Sequence, residues 1–225
     1  MTQRFLNLAT AEFDENRTGG LMICGINWGG PEDDSPLAKD EFGKSFFSDA
    51  RFADGPSPYR RNILRWFSLF GQPLAGSEKD AGPFERSIVQ TNWLSDQSPN
   101  VSGKALGPEL LREWDNMVFH LARLKPRLLM FMGAQLLEAL NTRECLSGCV
   151  RLFGPVTQPL RWENRPARRG EAAEGVALGF QKFESLQVIG FPHPSWPRSD
   201  DYIASFKDAV SPLIAAYKAE RGFQP

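Results

Sequence analysis

Four short, largely apolar runs alternate with helical patterns along this chain. The runs lie at 21–24, 87–94, 127–132 and 186–191, and Gly or Pro residues stand close to most of their ends. Short apolar runs bounded by turn residues are typical of buried strands. The pattern therefore predicts four strands.

Apolar residues recur at helical spacing between and after these runs. This spacing predicts helices over 58–70, 108–125, 134–140 and from 199 onwards. Ser199 or Asp200 can cap the last helix, and Pro212 is expected to kink or split it.

The alternation of strands and helices predicts an α/β fold with three layers. Its centre is expected to be a four-stranded parallel sheet flanked by helices. Residues 150–182 have weak periodicity, and a hairpin or an extended excursion is predicted there. A single domain over 1–225 fits the length, since one hydrophobic core serves domains of this size.

Composition and charge describe an ordinary globular chain, with 41% apolar residues, 24% charged residues and a net charge of −1. Any basic binding surface must therefore be local. Three cysteines, too few for a disulfide framework or a four-cysteine metal site, suggest a reducing compartment. The N-terminus lacks a signal pattern and the longest apolar stretch, 128–134, is too short for a bilayer. We expect a cytoplasmic protein without membrane association.

Candidate chemistry lies at the predicted strand ends, because ligands of parallel sheets bind at the carboxyl ends of the strands. Asn27 follows the first strand, Asn92 lies late in the second and His193 follows the fourth. No acidic residue stands there, so a metal site is not expected. The glycine-rich dinucleotide and nucleotide motifs are absent, so no cofactor is expected. Each residue has a plainer alternative: a turn residue for Asn27 and His193, and a buried amide for Asn92. His120, inside the predicted 108–125 helix, is expected to be structural or on the surface.

Two short motifs resemble those of the uracil-DNA glycosylase superfamily. Residues 25–29, GINWG, are similar to the GINPG or GMNPG motif, and residues 193–195 match the HPS that opens the second motif. Asn92 stands at the strand where that superfamily carries a base-reading asparagine. The resemblance implies one glycosylase-like domain, a monofunctional hydrolase of N-glycosidic bonds in base-excision DNA repair.

The resemblance also implies a role for each residue. Asn27 would orient the attacking water, Asn92 would hydrogen-bond the edge of uracil or a related deaminated base, and His193 would stabilise charge on the departing base. Further substrate contacts are implied for Gly25, Ile26, Trp28, Gly29, Phe42 and Phe46. The aromatic that stacks on the base is expected among Phe42, Phe46 and Phe47.

The implied partner is DNA with a damaged base, bound by a monomer. Such a base must be flipped out of the duplex to be reached. The loop 194–198 would wedge into the duplex, with DNA contacts from Ser195, Trp196 and Arg198. Trp196 has a second interpretation, packing against the last helix.

A non-catalytic nucleic-acid or nucleobase binding module is the main alternative. Trp28 stands where the superfamily has proline, and 32–41 carries five acidic residues against one lysine, a charge that would repel phosphates. Four arginines and one glutamate within 161–169 would attract phosphates, or form a solvated loop. An unrelated α/β enzyme acting on a small metabolite is a third possibility.

Overall fold

The structure is a computed structural model that describes six parts of the chain: 6–27, 45–50, 58–95, 106–165, 177–195 and 199–224. These residues form six strands: β1 (Leu21–Gly25), β2 (Ile88–Asn92), β3 (Leu128–Met132), β4 (Val156–Glu163), β5 (Leu178–Phe183) and β6 (Gln187–Phe191). They also form eight helices: α1 (Pro58–Leu69), α2 (Pro83–Arg86), α3 (Leu106–Arg112), α4 (Trp114–Leu124), α5 (Ala134–Leu140), α6 (Arg143–Phe153), α7 (Asp200–Ala204) and α8 (Lys207–Glu220).

The six strands make one mixed sheet in the order β2-β1-β3-β6-β5-β4. The four predicted strands are β2, β1, β3 and β6, and they run parallel. The predicted extent of the sheet is wrong, because the β4–β5 hairpin adds two antiparallel strands beside β6. This hairpin lies in the segment for which a hairpin or extended excursion was expected.

Helices cover both faces of the sheet, which confirms the α/β class. Side chains alternate between the faces of a strand. Met22 and Cys24 of β1 belong to a core cluster with residues of α3 to α6. Leu21 and Ile23 belong to a second cluster, on the other face, with residues of α1, α2, α7 and α8. We call the second side the α1 face. No helix in the described part of the chain is long and apolar enough to cross a membrane.

Helix boundaries differ from the prediction in two places. The 108–125 segment is divided at Glu113 into α3 and α4. The last helix is divided at Ser205 and Phe206, whereas Pro212 lies inside α8 and does not end it. Apolar side chains on both sides of Pro212 are buried and hold that turn in place. The Ser199 cap is confirmed, since its hydroxyl accepts from the Tyr202 N–H at 3.3 Å.

The two edges of the sheet, at β2 and at β4, differ in their backbone pairing. At the β2 edge, residue Leu8 forms an isolated antiparallel bridge to Thr91. At the other edge, β4 pairs with β5 in a ladder whose register shifts twice, between Val156 and Gln158 and between Gln158 and Arg161. The carboxyl ends of the four parallel strands lie together between these edges.

Candidate functional site

The ends of β1 and β2 are joined around Gly25 and Asn92, which pair across the parallel ladder. The Trp93 N–H donates to the Gly25 carbonyl at 3.0 Å, and the Leu94 N–H donates to the Ile26 carbonyl at 2.8 Å. A Cβ placed on Gly25 would collide with Oδ1 of Asn92. Glycine therefore leaves the space in which the largely buried Asn92 amide lies, on the α1 face.

Tyr59, near the start of α1, reaches both sides of this site. Its hydroxyl lies 2.8 Å from the position that a Cβ on Gly25 would take. Its ring centroid lies 5.8 Å from that of His193, with the two planes at 53°. Burial of the hydroxyl raises the pKa of Tyr59 well above its usual range, so the phenol is neutral at pH 7. Tyr59 therefore connects the region of Asn92 with that of His193.

His193 is half-buried in the turn that follows β6. The Ser195 backbone N–H donates to Nδ1 of His193 at 3.2 Å. A backbone N–H can only donate, so Nδ1 carries the lone pair and the proton of the neutral ring is on Nε2. Burial lowers the pKa of His193 below 6.5, which keeps the ring neutral at pH 7. The site thus holds an uncharged imidazole with Nε2–H as its donor.

The turn around His193 is attached to α1. Nδ2 of Asn62 donates to the Pro194 carbonyl at 2.6 Å. Asn62 lies one helical turn after Tyr59, so both side chains extend toward the same turn. A single helix therefore contacts the imidazole ring and the backbone that follows it.

Of the other predicted site residues near β1 and β6, Asn27 and Ser195 are accessible, whereas Ile26 packs on the opposite face of the sheet. Asn27 is half-exposed just beyond β1. Ser195 is exposed, and its described contact is the backbone bond to His193. The Ile26 side chain instead packs on the opposite face, where its Cδ1 lies 3.3 Å from the Cβ position of Gly133. Ile26 is therefore not beside Asn92.

Two of the aromatic residues expected to stack on the base, Phe46 and Phe47, lie in the described part of the chain, and both are buried. Phe46 is 4% exposed, and Phe47 is fully buried in the core of the α1 face. The Arg60 guanidinium lies 5.2 Å above the Phe47 ring, which makes Phe47 a packing residue. Other site candidates lie outside the described residues: Trp28, Gly29, Phe42, Trp196 and Arg198.

Arg60 links segment 45–50 to the sheet, because its guanidinium lies above the Phe47 ring and also contacts Gln90 of β2. Arg60 donates to Oε1 of Gln90 at 2.9 Å, and buried Asp49 accepts a short hydrogen bond from Ser45. Burial lowers the pKa of Arg60 to about 10, so the guanidinium is still charged at pH 7. Phe46 belongs to this anchored segment.

His120 has the structural setting expected of it. It is fully buried, its Nε2 accepts from the Asn7 N–H at 3.0 Å, and its Nδ1–H donates to the Asn116 carbonyl at 2.8 Å. Both ring nitrogens are therefore used within the fold. Burial lowers the pKa of His120, which keeps it neutral.

The predicted basic run is partly neutralised. Arg161 pairs with Glu163 and lies 4.7 Å from the centroid of the Phe180 ring. Arg165 pairs with both Glu163 and Asp208. An arginine that is paired with a carboxylate is less available to bind a phosphate. The run is therefore a weaker phosphate-binding surface than its number of arginines suggests. The other two arginines of the run lie outside the described residues.

Sequence reasoning missed Tyr59 and Asn62. Tyr59 is one of the residues whose helical spacing predicts the 58–70 helix, which indicates packing and not a site, and Asn62 belongs to no motif. The available signal is their spacing, three residues apart on a helix that packs beside the predicted strand ends. Among the described residues, no group of three or more His, Cys, Asp or Glu side chains is placed to hold a metal ion.

No protein-family model matches the sequence, and no curated protein matches it significantly. Function is therefore inferred from the strand-end residues and their contacts.

Proposed function

We propose that this protein is a monofunctional DNA glycosylase that hydrolyses the N-glycosidic bond of uracil, or of a related deaminated base, flipped out of DNA. The observation that carries the proposal is the Ser195–His193 hydrogen bond at 3.2 Å, which assigns the ring proton to Nε2. Cleavage of the N-glycosidic bond leaves negative charge on the departing base. A preorganised neutral donor stabilises such charge as it develops.

Asn92, at the end of β2 on the same edge of the sheet, supports the same proposal. Its amide offers both a donor and an acceptor, the combination needed to bind the edge of a base. β2 and β6 are separated by β1 and β3, so their backbones are about 14 Å apart at ordinary strand spacing. A base that contacts both Asn92 and His193 would span that distance against Tyr59, whose ring lies 5.8 Å from that of His193.

Asn27 completes the proposed mechanism as the residue that orients water toward the sugar. An amide is too weak a base to remove a proton from water early in the reaction. The leaving group must therefore depart readily, and the uracil anion does so because its charge is delocalised over two carbonyl groups. This requirement favours deaminated bases over adenine or cytosine.

The test is release of free base from oligonucleotides that carry uracil, hypoxanthine or xanthine, as single strands and as duplexes. The wild-type protein is expected to release at least one of them. His193→Ala is expected to lose several hundred-fold in single-turnover rate, the usual effect of losing one such donor. Asn27→Ala is expected to lose rate strongly with an unchanged unfolding midpoint.

Two outcomes would overturn the proposal. One is binding of damaged DNA with no release of any of these bases, which would favour the binding-module alternative. The other is a wild-type excision rate in His193→Ala or Asn27→Ala, which would overturn the mechanism proposed for these residues. Unfolding midpoints measured on the same samples show whether a variant has simply lost its fold.

A further inference from the structure

We propose that Asn62 is a positioning residue that holds His193 in the Nε2–H tautomer; this inference rests on the function proposed above. Two hydrogen bonds carry it: Asn62 Nδ2 to the Pro194 carbonyl at 2.6 Å, and the Ser195 N–H to His193 Nδ1 at 3.2 Å. Both involve the same peptide group, since the Pro194 carbonyl and the Ser195 N–H are joined by one C–N bond.

The planarity of that peptide group transmits the effect. Its six atoms lie in one plane, so the direction of the carbonyl sets the direction of the N–H. By holding the Pro194 carbonyl, Asn62 aims the Ser195 N–H at the imidazole. Hydrogen bonds in a chain also polarise one another, which strengthens the second bond. The chain runs from Asn62 through the peptide to Nδ1, and it leaves the ring proton on Nε2.

The position of α1 does not depend on Asn62. The helix is held by Ile63, Trp66 and Phe67, which are buried on the α1 face. The Trp66 ring also stacks on Phe191 with centroids 5.7 Å apart. Truncation of Asn62 therefore leaves the helix in place and removes the constraint on the peptide plane.

Loss of this constraint has a defined chemical consequence. Without the Ser195 N–H at Nδ1, the neutral ring can place its proton on Nδ1 and present the Nε2 lone pair to the base. A lone pair repels developing negative charge, whereas Nε2–H stabilises it. Asn62 should therefore affect the rate of the chemical step without touching the substrate.

The first experiment reads the tautomer directly. Histidine side chains are labelled with ¹⁵N, and long-range ¹H–¹⁵N spectra are recorded above pH 7 for wild type, Asn62→Asp and Asn62→Ala. Asn62→Asp keeps the shape but turns the donor into an acceptor opposite the Pro194 carbonyl. In wild type, His193 is expected to show a pyridine-type Nδ1 and a pyrrole-type Nε2. In both variants these two shifts should move toward each other.

Two internal controls accompany the spectra. His120 has its own hydrogen bonds at both nitrogens and is expected to keep its shifts in every variant. Ser68→Ala, on the same helix, removes an exposed hydroxyl that bonds within the helix to Leu64, and should leave His193 unchanged. Unchanged His193 shifts in both Asn62 variants would overturn the proposal.

The second experiment asks whether Asn62 acts through His193. Asn62→Ala alone is expected to lower the single-turnover excision rate roughly tenfold or more, within the several hundred-fold limit set by loss of His193 itself. In the His193→Ala background the same change should add little, because residues that act as a unit are not additive. Losses that multiply in the double variant would contradict the proposal.

The two proposals fail separately. If wild type releases no base but Asn62 variants shift the His193 tautomer, the glycosylase function is wrong and the positioning role stands. If base is released while the tautomer does not respond to Asn62, the positioning role alone is wrong.

Discussion

The Asn92 side-chain oxygen occupies the space that a side chain on Gly25 would need. This relationship makes the glycine part of the candidate site, because its missing side chain sets where the amide lies. The neighbouring Tyr59 hydroxyl, 2.8 Å from the same point, prevents a new methyl group from being accommodated on that side.

Gly25→Ala is expected to displace Asn92 and to lower excision by roughly ten- to a hundredfold, the effect of losing a hydrogen bond of about 1–3 kcal/mol. Overpacking should also cost about 1–3 kcal/mol of stability. Gly107→Ala is the matched control, since a Cβ there meets nothing within 4 Å. Single-turnover excision and urea unfolding check both variants; an active Gly25→Ala would show that Asn92 does not bind the base.

His120 is expected to make stability pH-dependent. Burial lowers its folded pKa below 6.5, so the unfolded chain binds the proton more readily. Its contribution is complete above about pH 6.5, falls as the pH drops below that value, and levels off once the pH is below the folded pKa.

Urea unfolding of wild type, His120→Gln and His193→Gln at about pH 8 and about pH 5 measures this effect. His120→Gln should be less stable at pH 8, since it disturbs both hydrogen bonds of a buried side chain, but should lose less stability on acidification. His193→Gln should keep the part due to His120. An equal loss on acidification in wild type and His120→Gln would contradict the assignment.

A substitution at Tyr217 is expected to change stability alone, because this residue lies at the amino ends of the strands, away from the candidate site. Its hydroxyl donates to Oγ of Ser87 at 2.8 Å, just before β2 begins. Tyr217→Phe is expected to cost about 1 kcal/mol of unfolding free energy and to leave the excision rate unchanged. Burial raises the pKa of Tyr217 to about 12, so its stabilising effect should persist below pH 10 and be lost as the pH rises toward 12. Denaturation and ultraviolet titration test the two parts.

Trp196 lies outside the described residues and stays a sequence-based prediction. If it wedges into DNA, Trp196→Ala should lower excision from duplex more than from single strands, because unstacking a duplex base costs a few kcal/mol. Equal losses on both substrates with a lowered unfolding midpoint would instead identify a packing residue.

The parallel strands were predictable because both of their faces are buried. Leu21 to Cys24 are completely buried and form an unbroken apolar run. β4 gives no such signal: its side chains are half-buried or exposed throughout, so no apolar period marks it. Within the described sheet β4 is an edge strand that pairs with β5, and polar and apolar residues mix along it. The number of strands was therefore underestimated.

The candidate site was predictable in part for a similar reason. Asn92 and His193 follow from the rule that parallel strands end at one edge of the sheet. Tyr59 and Asn62 depend on how α1 lies across that edge, and helical periodicity alone does not specify this. Ile26 shows the converse, since its side chain packs on the opposite face of the sheet although the residue lies inside the motif.

The two register shifts in β4 affect whether a strand of another molecule can pair with this edge of the sheet. An open edge strand with an even row of N–H and C=O groups invites another strand to add to it. In β4 the row is interrupted twice, and Pro159 lacks an N–H. An incoming strand therefore finds no continuous register to pair with. Among the described residues β4 ends the sheet, and its irregular edge disfavours the addition of a strand from another copy.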